Sequence, residues 1–333
     1  MRALLCRRWG EVKDLGIEDI PVPALRPGCV RLRVAYAGLN FAASLIVAGK
    51  YQVRPPLPFV PGFDVTGVVT EVAPGVTRVR PGDRVLAILD WGGFAEYAIA
   101  TEETVYPLPP DLDLDRSVYL PTSYGTAYGA LVWRARLQPG ETLLVHGAAG
   151  AIGLAAVELG RQLQARVIAC ASTEEKRAVA LEHGADLALP TSDFRARVKE
   201  FTGGRGADVI FDPIGGDVFD ESLRAIAIEG RILPVGFASG RIPQIPANIL
   251  LVKNVSALGF NYGTYAGWGP TDERKTYAPR MQAMMAQLID WMQQGRIRPR
   301  LSHCFELSRF AEAMEVVLSR RNSGKVALKI GDA

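Results

Sequence analysis

The chain is poor in the residues from which metal centres and disulfide frameworks are built. Its four cysteines, Cys6, Cys29, Cys170 and Cys304, are scattered with no CxxC pair, and its three histidines, His146, His183 and His303, lie far apart with no HExxH. That spacing offers no zinc pattern, so no metal ligands are assigned, and the cysteine usage suits a reducing, cytoplasmic setting. Charge of one sign is also missing: 38 Lys and Arg face 35 Asp and Glu, a net +3 with no long basic run. Nothing there calls for nucleic acid or a membrane surface. The longest apolar stretch, residues 143–159, is interrupted by His146 and glycines and is too short to span a bilayer. The opening Met1-Arg-Ala-Leu-Leu-Cys-Arg-Arg-Trp-Gly10 has an apolar segment too short for a secretory signal. At 333 residues with 48% hydrophobic content, the composition is that of a globular protein of about two domains.

What is present is concentrated in residues 141–158, which read as a short apolar strand, a glycine-rich turn and an alanine-rich helix. A dinucleotide-binding βαβ unit needs that order. Gly147 suits the sharp bend, while Ala148, Ala149 and Gly150 are small enough for backbone to approach a pyrophosphate. Gly153 lets the helix pack tightly on the sheet. The helix start would then point unpaired N–H groups and about half a positive charge at the phosphates. The spacing, GxxGxxG, departs from the commoner GxGxxG, but the apolar run 166–171 supplies a second strand at the expected distance.

That second strand ends in Cys170-Ala-Ser-Thr173 with no carboxylate at its tip, where a cofactor lacking a 2′-phosphate usually meets Asp or Glu. Ser172 is a hydrogen-bond donor, and Lys176 lies one turn into the next helix, as a phosphate partner or as a plain surface lysine. A charge-assisted bond to phosphate is worth roughly 1.5–3 kcal/mol, so the pattern favours NADP(H) over NAD(H). Glu174 and Glu175 point the other way unless they are first-turn residues favoured by the helix dipole.

The first 120 residues are rich in Pro and Gly and in short alternating runs, such as 30–34, 67–72, 84–89 and 95–99, which predict a partly open β-barrel or sandwich. Residues 117–134 read as helical. Strand and helix then alternate: strand 142–146, helix 151–164, strand 166–171, helix 174–183, strand 186–189, helix 193–201, strand 207–212, helix 217–228, then strands 231–236 and 255–260. This predicts a doubly wound parallel sheet of the Rossmann type, with Gly184 and Gly230 ending helices. Helices over 277–294 and 307–320 and a strand over 325–330 follow. This tail is expected to return to the first domain, giving one domain over 1–120 plus 265–333 and a second over 121–264.

Several segments resemble the medium-chain dehydrogenase/reductase superfamily, and in particular its zinc-free quinone oxidoreductase branch. They are Ala37-Gly-Leu-Asn40, Gly49-Lys-Tyr-Gln-Val-Arg-Pro-Pro-Leu-Pro-Phe59, Pro61-Gly-Phe-Asp64, Pro81-Gly-Asp-Arg-Val85, His146 to Gly153, Gly215-Gly-Asp-Val-Phe219 and Arg321-Asn-Ser-Gly-Lys325. The resemblance covers nearly the whole chain and implies a GroES-like domain with an inserted Rossmann domain. Zinc alcohol dehydrogenases of the superfamily carry Cys near position 38 and Gly-His-Glu near 62–64, where this chain has Gly38 and Gly62-Phe63-Asp64. The structural-zinc cysteines are replaced by Asp90-Trp-Gly-Gly-Phe-Ala95. Metal-assisted alcohol oxidation therefore lacks its ligands.

By the same resemblance, Asn40 matches an active-site asparagine that hydrogen-bonds a substrate carbonyl or a cofactor hydroxyl. Tyr51 matches a proton donor of related enoyl reductases, and reads equally as a packed ring. Leu45 replaces a second tyrosine of some quinone reductases. Cofactor contacts are implied at Asn40, Thr126, Gly147, Ala149, Gly150, Ala151, Ile152, Gly153, Ser172, Lys176, Val235, Gly236, Phe237, Phe260, Arg320 and Asn322. Thr191 stands where relatives place a tyrosine. The implied reaction is hydride transfer from NADPH to an electrophilic small molecule, a quinone or an α,β-unsaturated carbonyl. An enoyl thioester reductase, and an NADPH-binding interaction protein with little turnover, stay open beside it. The resemblance also implies a homodimer, with strand 255–260 pairing across a two-fold axis.

Overall fold

The computed structural model describes residues 1–331 and divides into two compact units. The first comprises Met1–Thr122, Gly263–Gln294 and the chain from Pro299 onward; the second comprises Ser123–Tyr262 and Gly295–Arg298.

The first unit begins with strands β1 (Arg2–Leu5), β2 (Gly16–Asp19) and β3 (Cys29–Leu39), then helix α1 (Phe41–Val47). Strands β4 (Asp64–Val72), β5 (Arg84–Ile88), β6 (Tyr97–Thr101) and β7 (Val105–Pro107) and the single turn α2 (Leu114–Ser117) follow. The second unit contains α3 (Gly125–Tyr128), β8 (Thr142–His146), α4 (Ala151–Gln162), β9 (Arg166–Cys170), α5 (Glu174–Glu182), β10 (Leu187–Leu189), α6 (Phe194–Phe201) and β11 (Ala207–Asp212). It continues through α7 (Gly216–Ala225), β12 (Ile226–Pro234), α8 (Ala247–Lys253) and β13 (Ser256–Ala257). The chain then returns to the first unit with α9 (Arg274–Gln293), β14 (Leu301–Glu306), α10 (Phe310–Leu318) and β15 (Lys325–Lys329).

In the first unit the path β14-β15-β3-β4-β5-β7 forms one mixed sheet, with β6 also pairing β3. Three strands meet at the C-terminal end of β3. Ala37 pairs Val65 of β4, and Gly38 and Leu39 pair Ala327 and Val326 of β15. This register brings the starts of β4 and β15 beside the end of β3. The sheet curls over a core that includes Leu32, Val34, Val65, Val85, Phe94 and Val326, capped by Phe310 and Met314 of α10. Each such side chain contributes about 1.5–3 kcal/mol by leaving water.

The second unit is a parallel sheet ordered β10-β9-β8-β11-β12-β13. Strand β8 is buried along its whole length, as a central strand covered by helices on both faces must be. Leu144, Ile168, Ile210 and Ile232 of the sheet pack with Phe194, Val198, Phe219 and Leu223 of α6 and α7.

Several expectations are corrected. Helix α7 ends at Ala225 and not at 228, and β12 begins at Ile226. Gly230 therefore lies inside a strand, where a side chain would strike Ile226, instead of ending a helix. Ile226 pairs Ala207 of β11, and after a bulge in which Glu229 takes φ +61° the pairing resumes at Arg231. Strand β13 is only Ser256–Ala257, because β12 offers it pairing only at Arg231 and Ile232. The expected helix 117–134 is broken into α2, α3 and two π-helical turns at Leu120–Tyr124 and Gly129–Arg134. Strand β14, unforeseen in the sequence, is an edge strand parallel to β15 and joined to it through α10.

His146 closes β8 and is fully buried against the edge of Phe194. Ser222 gives its hydroxyl proton to Val218 O, so His146 Nε2 donates to Ser222 Oγ at 2.7 Å. Burial pulls the imidazole pKa down from 6.5 to about 3. A depressed folded-state value means that this neutral histidine adds stability above its unfolded pKa, and that the contribution is lost as pH falls from 6.5 toward 3. Chemical denaturation followed across that window should lose up to about 1.4 kcal/mol per pH unit from this residue. A His146→Gln variant that keeps the parent's full slope would exclude His146 as its source.

Candidate cofactor and substrate sites

The glycine turn is shaped by contacts that leave no space for side chains. Gly147 has φ +58°, the left-handed region that glycine enters without strain. A Cβ on Gly153 would lie 2.2 Å from Gly147 O, and one on Gly160 would meet Leu143 and Val167 at 2.6 and 2.9 Å. Helix α4 thus rests on β8 and β9 along a glycine seam. Its N-cap Gly150 is extended, with φ −71° and ψ 167°, and makes no side-chain capping bond. Such a helix start binds phosphate through N–H groups and the dipole.

Four other strands, β9, β10, β12 and β13, end at the same, C-terminal edge of the parallel sheet, the edge at which open α/β sheets bind ligands. After β9 come Ser172, exposed, and Thr173, whose hydroxyl caps α5 by accepting from Lys176 N at 3.3 Å. Glu174 and Glu175 do occupy the first turn of α5, and Glu175 is held below the usual carboxylate range by N–H and Thr173 hydrogen bonds. After β12 come Val235 and Gly236, half-buried, and Phe237, exposed. Thr126 lies in α3. Phe260 lies beyond β13, its ring filling the space where a Gly129 side chain would be. Thr191 is exposed beyond β10.

Two features of this unit escaped the sequence reading. Arg177 lays its guanidinium over the strand end, donating to Ala171 O at 3.2 Å and Ser172 O at 3.5 Å. Asp212, fully buried at the end of β11, accepts from Ile214 N at 2.7 Å and Gly215 N at 3.1 Å, and so fixes the turn beside Gly147. Burial raises its pKa, against those same N–H bonds. The run Asp212-Pro-Ile-Gly-Gly216 was a visible turn signal for it.

In the first unit Asn40 is the N-cap of α1, directly after β3, and sits in a polar network that includes Asp64, Thr122 and Lys325. Tyr51 follows α1 and is half-buried; burial raises its phenol above the usual tyrosine range. Arg320 and Asn322 belong to this unit as well. Arg320 takes φ +56° after α10, and Asn322 donates its amide to Gly324 O at 2.7 Å, bracing the turn into β15. Asp64 and Lys325 lie inside segments that carried the family resemblance, but a lone acid and a lone lysine in sequence gave no sign that they meet.

A nucleotide-binding parallel sheet inserted into a GroES-like mixed sheet defines a nicotinamide-dependent oxidoreductase of the medium-chain class. Residues 26–110 match the alcohol dehydrogenase GroES-like domain and residues 151–283 match the zinc-binding dehydrogenase family. The chain is 40% identical to quinone oxidoreductase-like protein 2 of Bos taurus, covering 99% of this chain and 92% of that protein. It is 31% identical to the quinone oxidoreductase of Homo sapiens, covering 96% and 94%. The solved quinone oxidoreductase of Thermus thermophilus, also determined as its complex with NADPH, superposes with a TM-score of 0.84 at 32% identity over 99% of this chain and 100% of that one. The chain belongs to the medium-chain dehydrogenase/reductase family, in its quinone oxidoreductase branch.

The nicotinamide cofactor of that family fits the glycine seam and the glycine-capped start of α4. The zinc in one family name does not fit. Gly38 carries no ligand, Phe63 packs its ring on Trp268 with centroids 4.8 Å apart, and Asp64 is committed to Lys325, Asn40 and Thr122. Among the described residues no three His, Cys, Asp or Glu side chains are grouped to hold an ion.

Proposed function

We propose that this oxidoreductase uses NADPH to reduce a small carbonyl compound already electrophilic enough to need no metal, a quinone or an α,β-unsaturated carbonyl. The observation that carries the reading is the glycine turn into α4, combined with a β9 end that presents no carboxylate. When bound, the reduced nicotinamide supplies a hydride; the chain supplies binding, orientation and a proton. The α4 N–H groups hold the pyrophosphate, and Ser172, Lys176 and Arg177 receive the 2′-phosphate. Val235, Gly236 and Phe237, with Thr126 and Phe260, line the rest of the cofactor's path. Arg320 and Asn322 are further proposed cofactor contacts, on the strength of the family resemblance alone. Asn40 donates an N–H to the substrate carbonyl oxygen, where negative charge develops; one donor so placed is worth about 2.7–4 kcal/mol.

NADPH oxidation followed at 340 nm against simple quinones and enones should show turnover. Lys176→Glu should raise the Michaelis constant for NADPH roughly 10- to 100-fold, the range that losing 1.5–3 kcal/mol implies, and that for NADH far less. Equal effects on both cofactors would remove the 2′-phosphate assignment. Saturable NADPH binding with no turnover on any acceptor would favour an interaction role.

Tyr51 is proposed as the proton donor. Its hydroxyl has no hydrogen-bond partner among the described residues, and its raised pKa keeps it protonated past pH 10. Tyr51→Phe should lower kcat by about 10²- to 10⁴-fold, with the parent rate showing no tyrosine ionisation below about pH 10. A loss of less than about threefold would give Tyr51 back to packing.

A homodimer is proposed through the β13 edge of the parallel sheet. Beside it Ile242, Leu251 and Val252 are 70–79% exposed, more apolar surface than a free edge usually carries. Light scattering should give twice the 36.1 kDa chain mass, and Leu251→Glu with Val252→Glu should halve it. A parent chain that scatters as a monomer would refute the dimer.

A further inference from the structure

Lys325 and Asp64 are both completely buried, with Nζ 2.6 Å from Oδ2. Stability alone is a poor account of such a pair, since well-packed apolar residues often replace buried ions without loss. The pair's other bonds are more telling. Lys325 Nζ also donates to Asn40 Oδ1 at 2.7 Å, and Asn40 Nδ2 donates to Asp64 Oδ1 at 2.6 Å. Thr122 Oγ1 donates to Asp64 Oδ2 at 2.8 Å.

Only one orientation of the Asn40 amide satisfies this set. Reversed, it would turn its NH2 toward the lysine, which has no acceptor, and its oxygen toward the carboxylate. We propose that Lys325 and Asp64 are positioning residues that fix the Asn40 amide with its oxygen toward Lys325 and its NH2 toward Asp64, leaving one amide N–H to offer the substrate. The proposal rests on the carbonyl-reductase reading and sharpens it. The lone pair of a carbonyl oxygen is matched by such an N–H. Gly38 is part of the device, since a Cβ there would come within 2.4 Å of Asp64 Oδ2 and 2.6 Å of Lys325 Cε.

The test removes both charges together, Asp64→Asn with Lys325→Met, so that neither is orphaned in the interior. NADPH affinity should stay within about threefold of the parent while kcat for the carbonyl acceptor falls at least about tenfold. Adding Asn40→Ala to that variant should cost no more than Asn40→Ala alone, because the pair acts through Asn40. Parent-like kcat in the paired variant, or losses that multiply in the combined one, would overturn the proposal. If the paired variant does not fold, Gly38→Ala keeps both charges and pushes the pair apart. It should lower kcat with NADPH affinity retained, and unchanged turnover would overturn the proposal equally. Should the parent chain reduce no carbonyl acceptor at all, the reductase reading fails by itself. The positioning claim is then decided by the Asn40 side-chain amide resonances in ¹⁵N-labelled protein. A shifted, slowly exchanging pair in the parent that returns to ordinary positions in the paired or Gly38→Ala variant supports it; the same positions in both refute it.

Discussion

The nucleotide-binding unit depends on how closely the first turn of α4 comes to the end of β8. With Gly153 against the Gly147 carbonyl and Gly160 between Leu143 and Val167, helix and sheet meet almost at backbone distance. That distance sets where the first turn of the helix emerges beside the end of β8. It also explains why the small residues cluster here while the rest of α4 stays apolar and buried. Overpacking this seam by one methyl group costs roughly 1–3 kcal/mol or displaces the turn. Stability and binding therefore draw on the same few atoms.

The first unit is organised around a different constraint, the satisfaction of buried charge. Lysine and aspartate taken wholly out of water are tolerable only when every lone pair and proton finds a partner. Asn40 and Thr122 are among those partners, so holding the buried pair also fixes the orientation of the Asn40 amide. Burial pulls the lysine below its ordinary pKa and the aspartate opposes that pull. The metal ligands of zinc-dependent relatives have no room in this arrangement: Gly38 is needed small, and Asp64 is already engaged.

The parts legible in the sequence are those with a local cause. Strands β8, β9 and β11 and helices α4 and α5 follow from apolar periodicity and from glycines whose role is met within a few residues. Over 226–228 the sequence fits a helix, but β11 pairs Ile226 and then, across a bulge with Glu229 at φ +61°, Arg231 onward, so the chain there joins the sheet. Strand β14 is half-exposed and pairs only with β15, across α10, so no short window announces it. The Arg177 guanidinium and the Asp212 turn also depend on neighbours that are close only once the sheet is built.

By itself the sequence determined the class of fold, the glycine turn and the absence of a ligand set for zinc, because each rests on residues adjacent in the chain or on residue types simply not there. Tertiary structure alone decided that Asn40, Asp64, Thr122 and Lys325 meet, since they are up to 285 positions apart; the pairing of β3 with β4 and β15 brings the first, second and last together, and Thr122 joins from the turn Leu120–Tyr124. An ion pair with 0% of its side-chain surface exposed has no local signature. Its energy exists only after three strands have excluded water from around it.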